Sequence, residues 1–361
     1  MLGRLFTKTA VTAVVLSAAL LGTDRVAQAV QITGAGSTFV YPIMLKWMQL
    51  YQKSHPDIKI DYEAIGSGAG ISNLTNRTVN FCGSDAYMTN SQIAACGGHV
   101  LHLPEAAGPE VMSYNLPGVN QQLVFNGRLI ADIYLGRVTQ WNDPAIQKLN
   151  PGVKLPDLPI LVAHRSDGSG TTFIFTGYLC KVSPDWAQQV GQATSVNWPV
   201  GRGGKGNPGV AALIEKTRGG LGYLEYAYAI QGHFSDGRKI PVAKLINKDG
   251  NAVAPSIPAV IAAQKAIVEN LPADLRLPII DPSGKDAYPI SGFTYLIINQ
   301  DLGYMSKEKA LATVQFIHWI LTQGQDYCKD LEYIRLGPAM QKQVLAELSK
   351  VRWNGQKLLK D

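Results

Sequence analysis

The sequence predicts an α/β fold, because three strand-like segments are each followed by a loop rich in glycine and hydroxyl residues and then by a helix-like segment. The strand-like segments cover 30–33, 58–62 and 159–163, and apolar residues recur at helical spacing after each loop. In open α/β sheets, ligands sit outside the carboxyl ends of the strands. Three such junctions together predict a cage of hydroxyl and backbone N–H groups around a small anion, although each loop alone is also typical of a packing turn.

The N-terminal third contains two of the junctions and one further strand. In order, it has a strand at 30–33 with its loop 34–39, a helix at 43–51, a strand at 58–62 with its loop 66–70, a helix from 71, and a strand at 80–86. Asp85 stands near the end of the last strand, where its carboxylate can face a ligand or cap a helix.

The third junction, 164–172, combines one arginine, one carboxylate, two glycines and several hydroxyls. A helix that begins in such a loop offers free N–H groups and its positive dipole end to an anion. Arg165 adds a planar donor fork that fits a tetrahedral oxyanion. An N-capping turn with a surface Arg165–Asp167 pair explains the same loop when it is taken alone.

The rest of the chain supplies further elements. We expect a polar stretch before a segment at 111–115, a helix at 131–136, a turn and strand at 220–226, a strand at 291–298, a helix around 311–321, and a polar, helix-prone end. The glycine-dense loop 198–207 does not match a nucleotide phosphate loop, because Gly206 stands where that pattern needs Ser or Thr after Gly-Lys.

The first 29 residues have the pattern of a secretory signal peptide. Arg4 and Lys8 precede an apolar run, 10–21, and Ala27-Gln28-Ala29 fits a cleavage site. No later stretch is long and apolar enough to cross a bilayer, so we expect a soluble, exported product. The net charge of +6 falls to about +4 without the leader, which favours anions, but no basic run with aromatic residues indicates nucleic acid.

Four cysteines remain after export: Cys82, Cys96, Cys180 and Cys328. An even number in an oxidising compartment predicts disulfides. Cys82 and Cys96 are close enough in sequence for a local pair, which leaves Cys180 and Cys328 for the other, but the sequence alone leaves all three pairings open. No Cys-x-x-Cys motif or Cys/His cluster indicates zinc.

The common catalytic motifs are missing. No Gly-x-Ser-x-Gly elbow stands before a helix, and no His-Glu-x-x-His occurs. Asp167-Gly168-Ser169-Gly170 resembles a protease nucleophile loop, and six histidines leave a distant general base open.

Six motifs together resemble the periplasmic phosphate-binding proteins, which are the soluble receptors of the ABC-type high-affinity phosphate importer. The resemblance runs in the same order from about Gln31 to the C-terminal helices. The motifs are 33–39, Ile65-Gly66-Ser67-Gly68, Ser84-Asp85-Ala86, Tyr134-Leu135-Gly136, 165–171 and Gly203-Gly204-Lys205-Gly206-Asn207.

The resemblance implies a two-lobed, type II periplasmic binding protein with its ligand in the interlobe cleft. Lobe one would comprise 30–105 and 288–361, with the C-terminal helices, and lobe two 106–287, after a signal peptide at 1–29. The chain would cross between lobes near Pro104-Glu105-Ala106 and Tyr288-Pro289-Ile290, where proline-containing breaks are expected.

The resemblance also implies which residues bind phosphate, carried over motif by motif. They are Thr38, Phe39 (through its N–H), Ser67, Asp85, Arg165, Ser169, Gly170 and Thr171. Asp167 would hold Arg165 in place. The family implies no cofactor, no metal and no catalytic residue. Its partners would be inorganic phosphate and the ABC permease subunits in the inner membrane, with the receptor a periplasmic monomer that binds no nucleic acid.

Asp85 would select phosphate over sulfate. Phosphate near neutral pH still carries a proton that it can donate to a carboxylate, whereas sulfate carries none and would meet an unpaired negative charge. Two alternatives remain at this point: a secreted phosphatase that uses a Ser or Thr of these loops, and a receptor for another oxyanion such as sulfate or molybdate.

Overall fold

The computed structural model describes residues 29–268 and 271–359, and it confirms the α/β fold. The strands are β1 (Val30–Gly36), β2 (Ile58–Glu63), β3 (Phe81–Ser84), β4 (Val100–Tyr114), β5 (Val124–Asn126), β6 (Leu161–Arg165), β7 (Arg202–Gly204), β8 (Gly220–Glu225), β9 (Lys244–Ile246), β10 (Ala252–Val253), β11 (Ile279–Ile280), β12 (Ile290–Asn299), β13 (Arg352–Trp353) and β14 (Gln356–Lys357). The α-helices are α1 (Tyr41–Ser54), α2 (Ser67–Thr75), α3 (Asn90–Ala95), α4 (Gly127–Tyr134), α5 (Pro144–Leu149), α6 (Gly170–Val182), α7 (Pro184–Gln189), α8 (Gly206–Lys216), α9 (Tyr226–Gln231), α10 (Ile257–Val268), α11 (Lys307–Leu321) and α12 (Pro338–Leu348), with a 3-10 helix at Gln323–Leu331.

One long strand joins two halves of the main sheet, whose order is β2-β1-β3-β12-β4-β8-β6-β7. Residues 100–109 of β4 pair antiparallel with β12, and residues 110–114 pair antiparallel with β8. The first sheet half is therefore β2, β1, β3, β12 and the start of β4, and the second sheet half is the end of β4 with β8, β6 and β7. Within each half the outer strands are parallel, so their carboxyl ends share an edge.

The end of the polar stretch expected between 86 and 111 is instead the buried first part of β4, residues 100–110. Its prolines, glycine and glutamates are typical of a loop, but pairing with β12 makes it a strand. The register shifts at one point, where Thr294 pairs with Ala106 and Tyr295 with Pro104. Glu105 is thus the extra residue of a β-bulge, a place where a sheet tolerates a proline that lacks an N–H.

Of the two proline-containing breaks that were expected, the one at 104–106 is not a break, whereas the one at 288–290 ends the loop between β11 and β12. Pro104 lies inside a continuous strand, and the second segment leads directly into β12 at Ile290. The lobe boundaries inferred from the family resemblance stay a prediction.

Most other predicted elements form within a few residues of their expected ends. The helix expected from Thr172 begins at Gly170, because the Ser169 hydroxyl accepts a hydrogen bond from the Thr172 N–H at 3.0 Å and caps the helix two residues earlier. The helix expected around 311–321 is α11, which buries Val314, Ile317 and Leu321.

The leader predicted at 1–29 lies, apart from Ala29, outside the described residues. Across 29–268 and 271–359, none of the helices combines the length and the apolar character that a bilayer crossing needs.

The expected disulfides do not form, and all four cysteines are free thiols. The Cys82 sulfur faces α2 near Gly70, whereas the Cys96 sulfur lies 3.1 Å from the Thr75 hydroxyl, one turn further along the same helix. Cys180 is half-buried on α6, and Cys328 is buried in the 3-10 helix. Closeness in sequence therefore does not bring the Cys82 and Cys96 sulfurs together.

We expect a thiol reagent to titrate four cysteines in the unfolded chain without prior reduction. In the native chain only Cys180 should react readily, because the other three thiols are buried. Cys180→Ser should remove the fast native reaction and leave three thiols after unfolding. A count of two or none in the unfolded wild-type chain would show that disulfides form after all.

Candidate anion-binding site

The segments that follow β1, β2, β3, β6 and β7 converge between the two sheet halves. The Gly68 N–H, at the start of α2, donates to the Gly168 carbonyl at 2.9 Å. The Asn207 N–H, at the start of α8, donates to the Thr38 hydroxyl at 3.1 Å. Loops of the first sheet half therefore touch loops of the second at the carboxyl ends of their strands, which is where α/β sheets bind ligands.

Arg165 is held by a buried bidentate ion pair with Asp167. Its Nε donates to Oδ1 at 2.8 Å and its Nη2 to Oδ2 at 2.5 Å. A third donor, Nη1, reaches the Thr171 hydroxyl at 3.1 Å, so three of the five guanidinium N–H groups are used within the loop. The arginine side chain is 1% exposed, which excludes the surface-pair interpretation of this loop.

Asp167 is charged because of that pairing. Burial alone would raise its pKa, but the hydrogen bonds and charge of Arg165 hold the pKa of Asp167 below its usual value. The same carboxylate accepts the Gly206 N–H at 2.9 Å, which ties the 165–171 loop to the start of α8.

Aromatic packing beneath the loop positions β6. The rings of Phe175 and Tyr223 stack with centroids 4.2 Å apart. The Tyr223 hydroxyl accepts the Arg165 backbone N–H at 3.1 Å and lies 2.6 Å from the Thr172 hydroxyl. The strand end and the helix start are thus held to one aromatic ring.

Asp85 lies buried on the opposite side of the site, at the end of β3. Its carboxylate accepts the Ser37 hydroxyl at 2.6 Å and the Ser67 hydroxyl at 3.5 Å. Burial raises its pKa to about 6, against the opposing effects of hydrogen bonds from Ser37 and Thr294 and of the Arg165 charge. The helix-capping alternative for Asp85 is wrong, since Thr89 caps α3.

The two sides of the site approach so closely at Gly170 that a side chain there has no room. A Cβ on Gly170 would lie 2.5 Å from Oδ2 of Asp85 and 2.6 Å from the Ser67 hydroxyl oxygen. The start of α6, capped by Ser169, therefore points directly at Asp85 and Ser67.

The structure brings the predicted site residues into one cluster. Hydrogen bonds or close approaches connect Thr38, Phe39, Ser67, Asp85, Arg165, Asp167, Ser169, Gly170 and Thr171, directly or through Ser37, Thr172, Gly206 and Asn207. Most of these groups are hydroxyls, N–H groups or the guanidinium, and such groups donate hydrogen bonds to an anion.

Sequence reasoning missed two members of the cluster, Ser37 and Asn207. Ser37 stands in the first loop, but the family resemblance assigned phosphate binding to its neighbours Thr38 and Phe39. Asn207 follows the glycines of 203–206 at the start of a helix, a pattern that we considered only as a nucleotide loop or as part of a motif. Its buried amide contacts both Thr38 and Thr171.

Comparison with known proteins places the chain among binding proteins. A family model described as a PBP superfamily domain matches residues 22–323. The phosphate-binding protein PstS of Xylella fastidiosa (strain Temecula1 / ATCC 700964) is 38% identical over 320 residues, 88% of this chain and 85% of that protein. The phosphate-binding protein PstS of Pasteurella multocida is 38% identical over 321 residues, 89% of this chain and 90% of that protein.

Solved structures share the fold. The high affinity periplasmic phosphate-binding protein PfluDING, bound with phosphate, aligns with a TM-score of 0.69 at 20% identity, over 88% of this chain and 93% of that one. An ABC-type phosphate transport receptor from Vibrio cholerae aligns with a TM-score of 0.55 at 17% identity, over 84% and 100%. The architecture is that of a two-lobed, type II binding protein.

We expect Asp85→Asn to stabilise the phosphate-free chain at neutral pH but not in acid. Because the folded state raises the pKa of Asp85 to about 6, it favours the neutral carboxyl, and the charged form costs stability as the pH rises towards and above that value. The gain in the free energy of unfolding should approach about 3 kcal/mol near pH 8 and fade as the pH drops to about 4. Urea unfolding across this pH range measures it.

The exposed carboxylate of Asp61 supplies the control, and Asp61→Asn should show no such gain. A gain from Asp85→Asn that stayed constant with pH would contradict the assignment of the cost to a buried charge.

Proposed function

The chain belongs to the PBP superfamily and to the family of the phosphate-binding protein PstS, and on that premise we propose that it is a receptor for inorganic phosphate. It captures the anion outside the cytoplasm and delivers it to an ABC importer. The observation that carries the proposal is the buried Arg165 guanidinium, fixed by Asp167 and Thr171 opposite Asp85.

Eight residues hold phosphate in this proposal. They are Thr38, Phe39 (through its N–H), Ser67, Asp85, Arg165, Ser169, Gly170 and Thr171, with Asp167 as the residue that orients Arg165. A buried dianion costs several kcal/mol or more unless many donors meet it. The hydroxyls, the start of α6 and the guanidinium supply those donors with a single cation.

Asp85 supplies the selectivity. A carboxylate accepts the proton that phosphate retains, and it repels sulfate, which has none to give. The hydrogen bonds from Ser37 and Ser67 hold the carboxylate in place without neutralising it.

Two lobes close around the ligand in this proposal, with lobe one at 30–105 and 288–361 and lobe two at 106–287. The strand β4 favours this division into lobes, because the two sheet halves share it and its bulge lies at Glu105. The bond from Asn207 to Thr38 and that from Gly68 to Gly168 are of the kind that would form on closure.

The role is binding and transport without chemical conversion. The relatives are named as phosphate-binding proteins. We propose a periplasmic monomer, exported by a leader cleaved near Ala29, that binds no nucleic acid and docks on the permease subunits in the inner membrane.

We expect calorimetric titration to show one tight phosphate site per chain and binding of sulfate at least about 100-fold weaker at pH 8, since a like charge facing the anion costs several kcal/mol. Asp85→Asn should reduce the difference in affinity between phosphate and sulfate, because an amide can donate a hydrogen bond to sulfate. In the wild type, sulfate affinity should rise as the pH falls below the Asp85 pKa of about 6. Equal affinities for the two anions at pH 8 would refute the proposed selectivity.

We also expect Arg165→Ala to weaken phosphate binding far more than Lys205→Ala. Loss of one partner of a buried charge pair costs ~2–5 kcal/mol, which corresponds to roughly 30-fold to several thousand-fold in affinity. Lys205 is exposed beside the same loop and serves as the matched control, with less than about a threefold change expected. Comparable losses in both variants would place the site elsewhere.

A further inference from the structure

We propose that Asn207 is a positioning residue that turns the hydroxyl protons of Thr38 and Thr171 towards the anion. The inference rests on the proposed function and adds to it a residue that decides which way the ligand-binding hydroxyls donate. Asn207 is fully buried at the start of α8, next to Gly206, whose φ of +69° favours glycine.

The first step is the bonding of Thr38. Its hydroxyl oxygen accepts two hydrogen bonds, from the Asn207 N–H at 3.1 Å and from the Asn207 Nδ2 at 3.1 Å. A hydroxyl has two acceptor lone pairs and one proton. Both acceptor positions are filled by groups that can only donate, so the Thr38 proton has to point elsewhere.

The second step is the bonding of Thr171, whose hydroxyl also accepts two hydrogen bonds. Its hydroxyl oxygen accepts Nη1 of Arg165 at 3.1 Å and Nδ2 of Asn207 at 3.2 Å. Neither donor has a lone pair to accept a proton in return. The Thr171 hydroxyl is therefore also left as a donor, and one amide group orients hydroxyls on both sides of the site.

The third step is the orientation of the amide itself. Oδ1 of Asn207 accepts the Glu225 backbone N–H at 3.0 Å. A flipped amide would set its NH2 group against that N–H, a donor against a donor, so the bond from Glu225 determines the orientation. Glu225, at the end of β8, thus keeps Nδ2 aimed at the two threonines.

These contacts also join the sheet halves. Thr38 follows β1 in the first half, whereas Thr171 and Asn207 belong to the second. The Gly206 N–H donates to the Asp167 carboxylate, so the ion pair of Arg165 and Asp167 also fixes the backbone next to Asn207. Thr38 consequently receives its orienting bonds only when the halves meet, so the direction in which its hydroxyl donates is coupled to closure.

The test is a mutant cycle on phosphate affinity, measured by titration calorimetry. Asn207→Ala should weaken binding about 10-fold or more in the wild-type chain, the usual scale for a buried hydrogen bond with its partner left unmet. In the Thr38→Val/Thr171→Val background, where no hydroxyls remain to orient, the same change should cost less than about threefold.

Equal losses in both backgrounds would overturn the inference and leave a structural role for Asn207. If the wild-type chain did not bind phosphate at all, the proposed function itself would be overturned. The failure of the inference and the failure of the proposed function therefore give different results.

A second variant keeps the test decisive if Asn207→Ala fails to fold. Asn207→Asp has the same shape, but its carboxylate accepts protons, so Thr38 and Thr171 would donate to it instead of to phosphate. Its affinity should be low at neutral pH and recover in acid, when the protonated carboxyl can donate again. Because the new carboxylate also repels the anion, Asn207→Asp in the Thr38→Val/Thr171→Val background is the control. An equal recovery in acid in both backgrounds would contradict the proposed orientation.

Discussion

The structure of the site depends on the buried ion pair between Arg165 and Asp167. An unpaired guanidinium could not stay at this depth, and the bidentate pair together with the bond to Thr171 leaves two N–H groups for a ligand. Asp167 also positions α8, because its carboxylate accepts a hydrogen bond from the Gly206 N–H at the start of that helix. The pair therefore adds a side-chain link between the 165–171 loop and the 203–207 loop, beside the bond from the Ser166 N–H to the Gly204 carbonyl and that from Asn207 to Thr171.

Close backbone approach is the second constraint on the site. Gly170 fits against Asp85 and Ser67, and Gly66, at φ +94°, fits against Asp167, where a Cβ would lie within 2.3 Å of a carboxylate oxygen. The glycines of these loops therefore allow two sets of helix starts and hydroxyls to meet. Donors from both sheet halves can then surround one small anion, and the fold disperses its charge over many groups.

Buried acids surround this donor-rich region. Burial raises the pKa values of Glu105, Glu110 and Glu225 well above their usual range, which favours their neutral forms. Neither carboxyl oxygen of Glu110 has a hydrogen-bond partner among the described residues. Neutral acids on β4 and β8 add little repulsion towards an anion, so the single aspartate at the end of β3 can act as the selective carboxylate.

The sequence by itself determined the strand–loop–helix junctions, because glycine and hydroxyl residues between a strand pattern and a helix pattern mark such turns. The resemblance of its motifs to the phosphate-binding proteins, and not the residue types alone, indicated most members of the cluster. It did not reveal that 100–110 is a strand, since Pro104 and Glu105 are typical of a loop until β12 pairs beside them. It also suggested disulfides from cysteine spacing, whereas the packing of β3 and α2 keeps those thiols apart. Only the tertiary structure placed Asn207 between Thr38 and Thr171, because a contact between residues 169 positions apart in the chain depends on how the sheet halves meet.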